Sequence, residues 1–340
     1  MNRNRFLDIL KGIAILFIII THYNFSAEAR LHYLFPFWID MAVPVFLMIS
    51  GYVATMSFRK QNITTIEQAY TLRIIGSKAI RYTVPFIIAW LVEYADMVRV
   101  YGSSGFTWSW FIWHFLEGGE GPGAYYFPIM MQFIFVFPLL YFLIEAHGFV
   151  GLVIAFMATY AMEVLKIVYQ MGENTYCLLI FRYTFIIAAG VYLASSHYKK
   201  RIIISLCALV VGTLFLVGTQ YYGVEVPYIG MWQRTSLFGC LFIAPIIGAL
   251  INKCSNWHFL PLEVVGKASY NIFLVQKVFY KEAGIFYEKI PGTKLDFIAT
   301  ILICVGVGIV FYLVESPFTS WLVRNFKNYT EKHHIPDAWR

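Results

Sequence analysis

Apolar runs of about twenty residues recur along this chain, and an α-helix needs that length to cross the roughly 30 Å hydrocarbon core of a bilayer. About ten candidate spans can be drawn. They cover residues 6–25, 34–56, 82–98, 125–145, 149–168, 176–196, 202–220, 232–251, 266–286 and 295–322. In lipid the backbone must satisfy its own hydrogen bonds, so such runs become helices packed on helices. The expected fold class is all-α, a polytopic membrane helix bundle. Composition agrees: 59% of the 340 residues are hydrophobic and 13% charged, with mean hydropathy +0.65. A soluble domain carries roughly 25% charged residues. Between the third and fourth spans, FTWSWFIWHFLEGGEGPG is too short and too Trp-rich to cross. It reads as an interfacial or re-entrant piece ending in a glycine-rich turn. No heptad, Gly/Ser linker or internal repeat is evident. Residues 1–325 are expected to form one transmembrane domain, with 326–340 a short cytoplasmic tail. Lys11 interrupts the first apolar run and no small-residue cleavage site follows, so that run reads as a retained span rather than a signal peptide.

The basic residues set the orientation. Arg3 and Arg5 precede span one; Arg59, Lys60, Arg73, Lys78 and Arg81 lie between spans two and three. Lys199, Lys200 and Arg201 separate spans six and seven, Lys253 and Lys267 flank the turn before span nine, and Arg324, Lys327, Lys332 and Arg340 follow span ten. All fall on one side. The opposite loops carry Glu117, Glu120, Glu173 and Glu225. The positive-inside rule then puts both termini in the cytoplasm. The net charge of +7 is accordingly juxtamembrane, pointing to membrane lipids and not to nucleic acid. The longest polar stretch, FRKQNITTIEQAYTLRIIGSKAIRY, reads as a cytoplasmic loop with amphipathic helix character.

Ionisable side chains inside a span are costly and face a polar interior. The first span holds three: Asp8, Lys11 and His22. Lys11 and His22 are eleven positions apart, about three helical turns or roughly 16 Å of rise, so they fall on one face. Asp8 stands one turn before Lys11. An imidazole there suits accepting a proton from a hydroxyl, the ammonium suits holding an anion or orienting a polar reactant, and Asp8 can pair with it at i, i+3. The competing reading is an ion pair with a helix-packing histidine. Lys78 and Arg81, one turn apart with Arg73 just before, suit gripping a polyanion or simply forming the positive-inside belt. KAIRYTVP also reads as a span start, its proline fixing the entry.

Further polar residues lie in later spans. Arg182 would be explained by a buried partner such as Glu93 or Glu163. Ser50, Tyr126, Gln132, Arg182 and Gln276 are candidates for substrate binding. Lone amides more often join helices, and Ser50-Gly51 is most simply a close helix contact. Glu315 could cap or pair near the end of the last span. Cys177, Cys207, Cys240, Cys254 and Cys304 lack zinc-ligand spacing and read as small buried hydrophobes. There is no phosphate-binding glycine loop, no dinucleotide fingerprint, no HExxH and no GxSxG. Acid–base chemistry without a metal or cofactor remains.

In order, these motifs resemble the acyltransferase 3 family of integral membrane acyltransferases. LDILKGIAILFIIITH is similar to the family's LDGLRGIAxxxVxxxH, with Lys11 and His22 at the arginine and histidine positions. VFLMISGYV resembles its FFxxSGY, and Lys78 to Arg81 its RxxR element. GAYYFPIMMQFIFVFPLL, FRYTFIIAAGVYLA, VGKASYNIFLVQ and VESPF resemble its later segments. Lysine stands for arginine at positions 11 and 78, and Gln276 stands where many members have histidine. The cation is kept at 11 and 78, but the bidentate fork is not.

The resemblance implies transfer of an acyl group, commonly acetyl, from cytoplasmic acyl-CoA as co-substrate to a hydroxyl of a surface glycan or a lipid-linked glycan. Arg73, Lys78 and Arg81 would meet the CoA phosphates, and His22 would act as general base or proton relay, with Lys11 and Asp8 beside it. Two other readings compete: a transporter or flippase for a glycan or lipid intermediate, and a catalytically silent family member.

Overall fold

The computed structural model describes residues 4–102, 107–195, 197, 202–226, 238–289 and 294–332. Arg3, Lys199, Lys200, Arg201 and Arg340 of the expected basic belt lie outside the described residues, as do 232–237 of the eighth span. The described residues are helical, without strands. The helices are α1 (Phe6–His22), α2 (Ala27–His32), α3 (Ala42–Lys60), α4 (Ile66–Ala69), α5 (Leu72–Tyr101), α6 (Trp108–Leu116), α7 (Tyr126–His147), α8 (Phe149–Val168), α9 (Glu173–Cys177), α10 (Thr184–Ala194), α11 (Ile202–Tyr221), α12 (Phe238–Lys253), α13 (Leu260–Lys267), α14 (Ser269–Lys289) and α15 (Lys294–Lys332).

Among the described residues, six stretches are helical, long and apolar enough to cross a membrane: Phe35–Lys60, Ile66–Val100, Tyr126–His147, Phe149–Val168, Ile202–Tyr221 and Leu295–Lys332. The other expected spans coincide with α1, α10, α12 and α14. Of these, α1, α10 and α12 are shorter, at 17, 11 and 16 residues, and α14 carries several charges, Lys277 and Lys281 among them. Residues 326–332 of the expected tail continue α15. The segment read as a loop with a span start at KAIRYTVP differs from expectation. Helix α5 begins at Leu72, and Pro85 lies inside it. An internal proline removes one intrahelical bond, but membrane helices tolerate that where neighbours re-satisfy the freed carbonyl.

The chain divides into two compact units, Met1–Ile66 with Val136–Lys267, and Glu67–Phe135 with Ala268–Arg340. Helix α7 contributes its first half to the second unit and the rest to the first.

In the first unit, α3 packs against α10, and α1 against α13 and α3. Small residues make both approaches possible. A methyl group on Gly190 would run into the carbonyl oxygen of Met48, and one on Gly51 into that of Ile187, so α3 and α10 meet backbone to backbone. Gly12 faces the Leu262 carbonyl and Gly266 that of Asp8, which seats α13 directly on the first half of α1. The SGY motif is thus a helix crossing, as its simplest reading held. In the second unit α14 and α15 pack together and both touch α5. Phe86 stacks on Phe127 at 3.7 Å within a cluster of Trp90, Phe111 and Phe115.

Gly190→Ala should destabilise the protein by about 1–3 kcal/mol, the usual cost of overpacking. Gly306→Ala, where the added carbon meets nothing within 4 Å, should be neutral or slightly stabilising. Melting in detergent checks the pair, and equal melting points would reject the close crossing.

Candidate active site

Helix α1 brings Asp8, Lys11 and His22 onto one face, as the spacing predicts. Asp8 is buried near the first turn and Lys11 is half-buried. His22 is the last residue of the helix and also half-buried. An acid near the start and an imidazole at the end both suit the helix dipole. The chain leaves the helix at Tyr23, whose backbone turns extended (φ −71°, ψ 145°).

Beyond Tyr23 the chain folds back and pins that end. Arg30, on α2, donates from Nη1 to the Thr21 carbonyl at 3.2 Å and from Nη2 to Asp40 Oδ1 at 2.5 Å. Its guanidinium also lies over the Phe35 ring at 5.2 Å. The residue before His22 is therefore clamped by a charge-assisted pair, of the kind roughly twice as strong as a neutral hydrogen bond. Sequence reasoning misses Arg30 and Asp40, because both sit in a polar connection with no motif.

The basic element lies in the second unit, at the start of α5. Arg73 forms an ion pair with Glu331 of α15 at 3.3 Å, with both side chains about half exposed. Lys78 is half-buried and Arg81 exposed, one turn apart.

The remaining candidates divide clearly. Ser50 donates to the Phe46 carbonyl at 2.9 Å and Gln132 to the Pro128 carbonyl at 3.3 Å, each within its own helix. Tyr126 packs on Phe273 at 4.9 Å. Arg182 is buried against Tyr176 and Tyr183, at 4.4 and 4.8 Å from their ring centres, and donates to Cys177 Sγ at 2.9 Å. The hydroxyl of Tyr176 donates to Glu163 Oε1 at 2.5 Å. Gln276 is fully buried, and neither its amide nitrogen nor its oxygen has a hydrogen-bond partner among the described residues. Leaving such groups unmet costs about 1–3 kcal/mol each. Glu315 accepts from Asn271 at 3.0 Å and from Thr319, so it pairs as expected. The cysteines are mixed rather than uniformly buried: Cys240, Cys254 and Cys304 are, Cys207 is exposed and Cys177 is intermediate.

Glu93, one of the partners expected for Arg182, belongs elsewhere. In the second unit its Oε2 accepts from Lys277 Nζ at 2.7 Å, and both side chains are essentially inaccessible. Lys277 also donates to the Gly118 carbonyl at 2.7 Å, and Glu93 Oε1 accepts from the Glu120 backbone N–H at 2.6 Å. The glycine-rich turn lies on this pair. Gly118, Gly119, Gly121 and Gly123 all have positive φ, and a methyl on Gly119 would strike Lys277 Nζ and Glu93 Oε2. His114 accepts the Trp90 indole proton on Nδ1 at 2.8 Å, leaving Nε2 3.8 Å from Glu120.

Glu93, His114 and Glu120 lie close enough to share a cation. The Lys277 ammonium already holds one Glu93 oxygen, and the turn's backbone holds the other. The Glu93 carboxylate is thus already neutralised by a side chain.

With this geometry in view, the comparison with known families decides the matter: residues 4–322 match the acyltransferase 3 model, described as an acyltransferase domain. The chain belongs to that family. No curated protein and no solved structure matches it. Membership supports acyltransferase activity in a membrane protein, and it covers both units.

Lys277→Met should cost about 3–5 kcal/mol by leaving Glu93 buried and unpaired. Adding Glu93→Gln should recover part of that loss in a double-mutant cycle; purely additive losses would show that the two do not interact. Burial pushes the His114 imidazole below its ordinary 6.5, against the pull of Glu93 and Glu120. The folded protein then binds fewer protons than the unfolded chain just below that pH, so this stability is present above about 6.5 and falls as pH drops. His114→Gln should flatten the decline in melting temperature between about pH 7 and 5 relative to the unsubstituted protein; parallel curves would refute the assignment.

Proposed function

We propose that the protein is a membrane O-acyltransferase. It moves an acyl group, acetyl in the simplest case, from cytoplasmic acyl-CoA to a hydroxyl of a cell-surface or exopolysaccharide glycan, free or lipid-linked. On this reading it crosses the cell membrane ten times with both termini in the cytoplasm. The observation that carries the proposal is His22, at the clamped end of α1 on the face it shares with Lys11, within a chain of this family.

The imidazole of His22 takes the proton of the acceptor hydroxyl as its oxygen attacks the thioester carbonyl. The tetrahedral intermediate collapses by breaking the carbon–sulfur bond. The CoA thiolate leaves and recovers the proton from the imidazolium, so His22 returns neutral and the products are an ester and free CoA. Lys11 orients the polar reactants and stabilises developing negative charge, and Asp8 keeps Lys11 charged. Arg73, Lys78 and Arg81 hold the CoA phosphates as point and fork donors. Of Ser50, Tyr126, Gln132, Arg182 and Gln276, Gln276 has the best support as a substrate contact. Its unmet donor and acceptor would match a hydroxyl, whereas Ser50 and Gln132 already donate to their own helices.

His22→Ala should keep normal expression and lower transfer from labelled acetyl-CoA to surface polysaccharide by about 100-fold or more. Near-normal turnover would remove His22 from the mechanism. Movement of acceptor across the membrane with no need for CoA would replace the enzyme reading with a transporter.

A further inference from the structure

At the N-terminal end of α1, opposite His22, the first unit holds a cavity of about 740 Å³. Its walls come from the start of α1, from α13 and from the loop joining α12 to α13. The arrangement of charge is ordered. Two carboxylates, Asp8 and Glu263, lie buried within, whereas two cations, Arg5 and Lys267, are exposed at the rim. Glu263 is only 4% exposed, and its Oε1 has no hydrogen-bond partner among the described residues. A buried acceptor left unmet is costly, so this one calls for a donor that the described residues do not supply. The same rim carries Trp257 and Leu260, each 66% exposed, with Phe259 beside them at 55%. Large apolar side chains standing out of a short polar loop at a helix end mark the membrane–water interface.

A ligand for this cavity must carry hydrogen-bonding positive charge at its tip, negative charge behind it, and an apolar body behind both. We propose that the cavity binds the headgroup of a phosphatidylethanolamine from the surrounding leaflet. The primary ammonium reaches Glu263, the phosphate meets Arg5 and Lys267 at the rim, and the acyl chains leave past Trp257 and Leu260. An ammonium with three N–H donors satisfies the carboxylate. The quaternary amine of phosphatidylcholine has none to give. Anionic headgroups, which suit purely basic pockets, meet two carboxylates here. The pairing of two cations with two carboxylates selects a zwitterion, and the buried position of the acids selects the one whose cation can donate. The bilayer supplies this ligand at high local concentration, so the site is filled by mass action. Headgroup binding depends on the membrane setting of the chain and not on acyl transfer, so either can fail without the other.

The test uses the full chain, delipidated in detergent and returned to nanodiscs of phosphatidylcholine alone or with phosphatidylethanolamine or phosphatidylglycerol. Phosphatidylethanolamine should raise the melting temperature above both other compositions and should be enriched among lipids that copurify. Glu263→Gln should erase that preference, and Lys267→Ala should weaken it. Trp257→Ala, a change at an exposed position, should lower lipid retention while leaving the fold intact. Equal stabilisation by all three lipids overturns the proposal. So does stabilisation by soluble glycerophosphoethanolamine with none from the lipid, or displacement of bound lipid by CoA or a nucleotide, which would make the cavity a small-molecule site.

Discussion

A polar group buried inside a membrane protein has little water to fall back on, and leaving one without a partner is costly. The second unit is organised around the starkest case. Lys277 and Glu93 are both out of reach of solvent, and their charges cancel across 2.7 Å. Two charges buried in this way stabilise only when their remaining donors and acceptors are also met. The Gly118 carbonyl and the Glu120 N–H do that. For those two backbone groups to reach the pair, the turn must lie flat on it, and only hydrogen fits at Gly119. The ion pair therefore accounts for the glycine at 119 and for the way the turn's backbone lies against it, with Glu120 held beside it through its N–H.

In the first unit the same economy appears as fixation of α1 at several points. Gly12 and Gly266 let α13 close on its first half, α3 covers another face, and Arg30 and Asp40 clamp its last turn. General acid–base chemistry loses rate steeply when the reacting groups are misplaced by about 1 Å. On the proposed mechanism, in which His22 moves a proton, holding the helix along its length keeps the reacting groups in place. The clamp adds a second effect, since it closes the polar end of α1 with a charged pair rather than leaving it to the chain's own motion.

The sequence makes legible whatever one helix states by itself. Apolar runs mark the helices, and the spacing of Asp8, Lys11 and His22 marks their common face, because helical periodicity is local. Pairings between helices are not legible in this way. Glu93 and Lys277 are 184 positions apart, and nothing in either neighbourhood names the other, so charge counting offers Glu93 to Arg182 instead. The start of α5 is hidden for a related reason. Pro85 reads locally as a helix entry, whereas in the fold the helix runs through it from Leu72. Arg182 needs aromatic faces and a sulfur as well as any carboxylate, a solution that charge counting does not anticipate.

Gln276 and Lys277 join these two themes. They are neighbours on α14, both essentially inaccessible, and separated by about 100° around the helix. The ammonium of Lys277 is held by two oxygens, and the Gln276 amide has neither end met among the described residues. A buried polar residue held by its neighbours is explained by the fold it stabilises, and its loss is felt as instability. A buried polar residue that is unsatisfied is not explained by the fold, because the fold would be more stable with an apolar side chain of the same shape. Nothing among the described residues meets the Gln276 amide, so an ordered water or, on the proposed function, a reactant is what would satisfy it. By that reasoning Lys277 belongs to the architecture, whereas the unmet amide of Gln276 is what the proposed function assigns to a reactant.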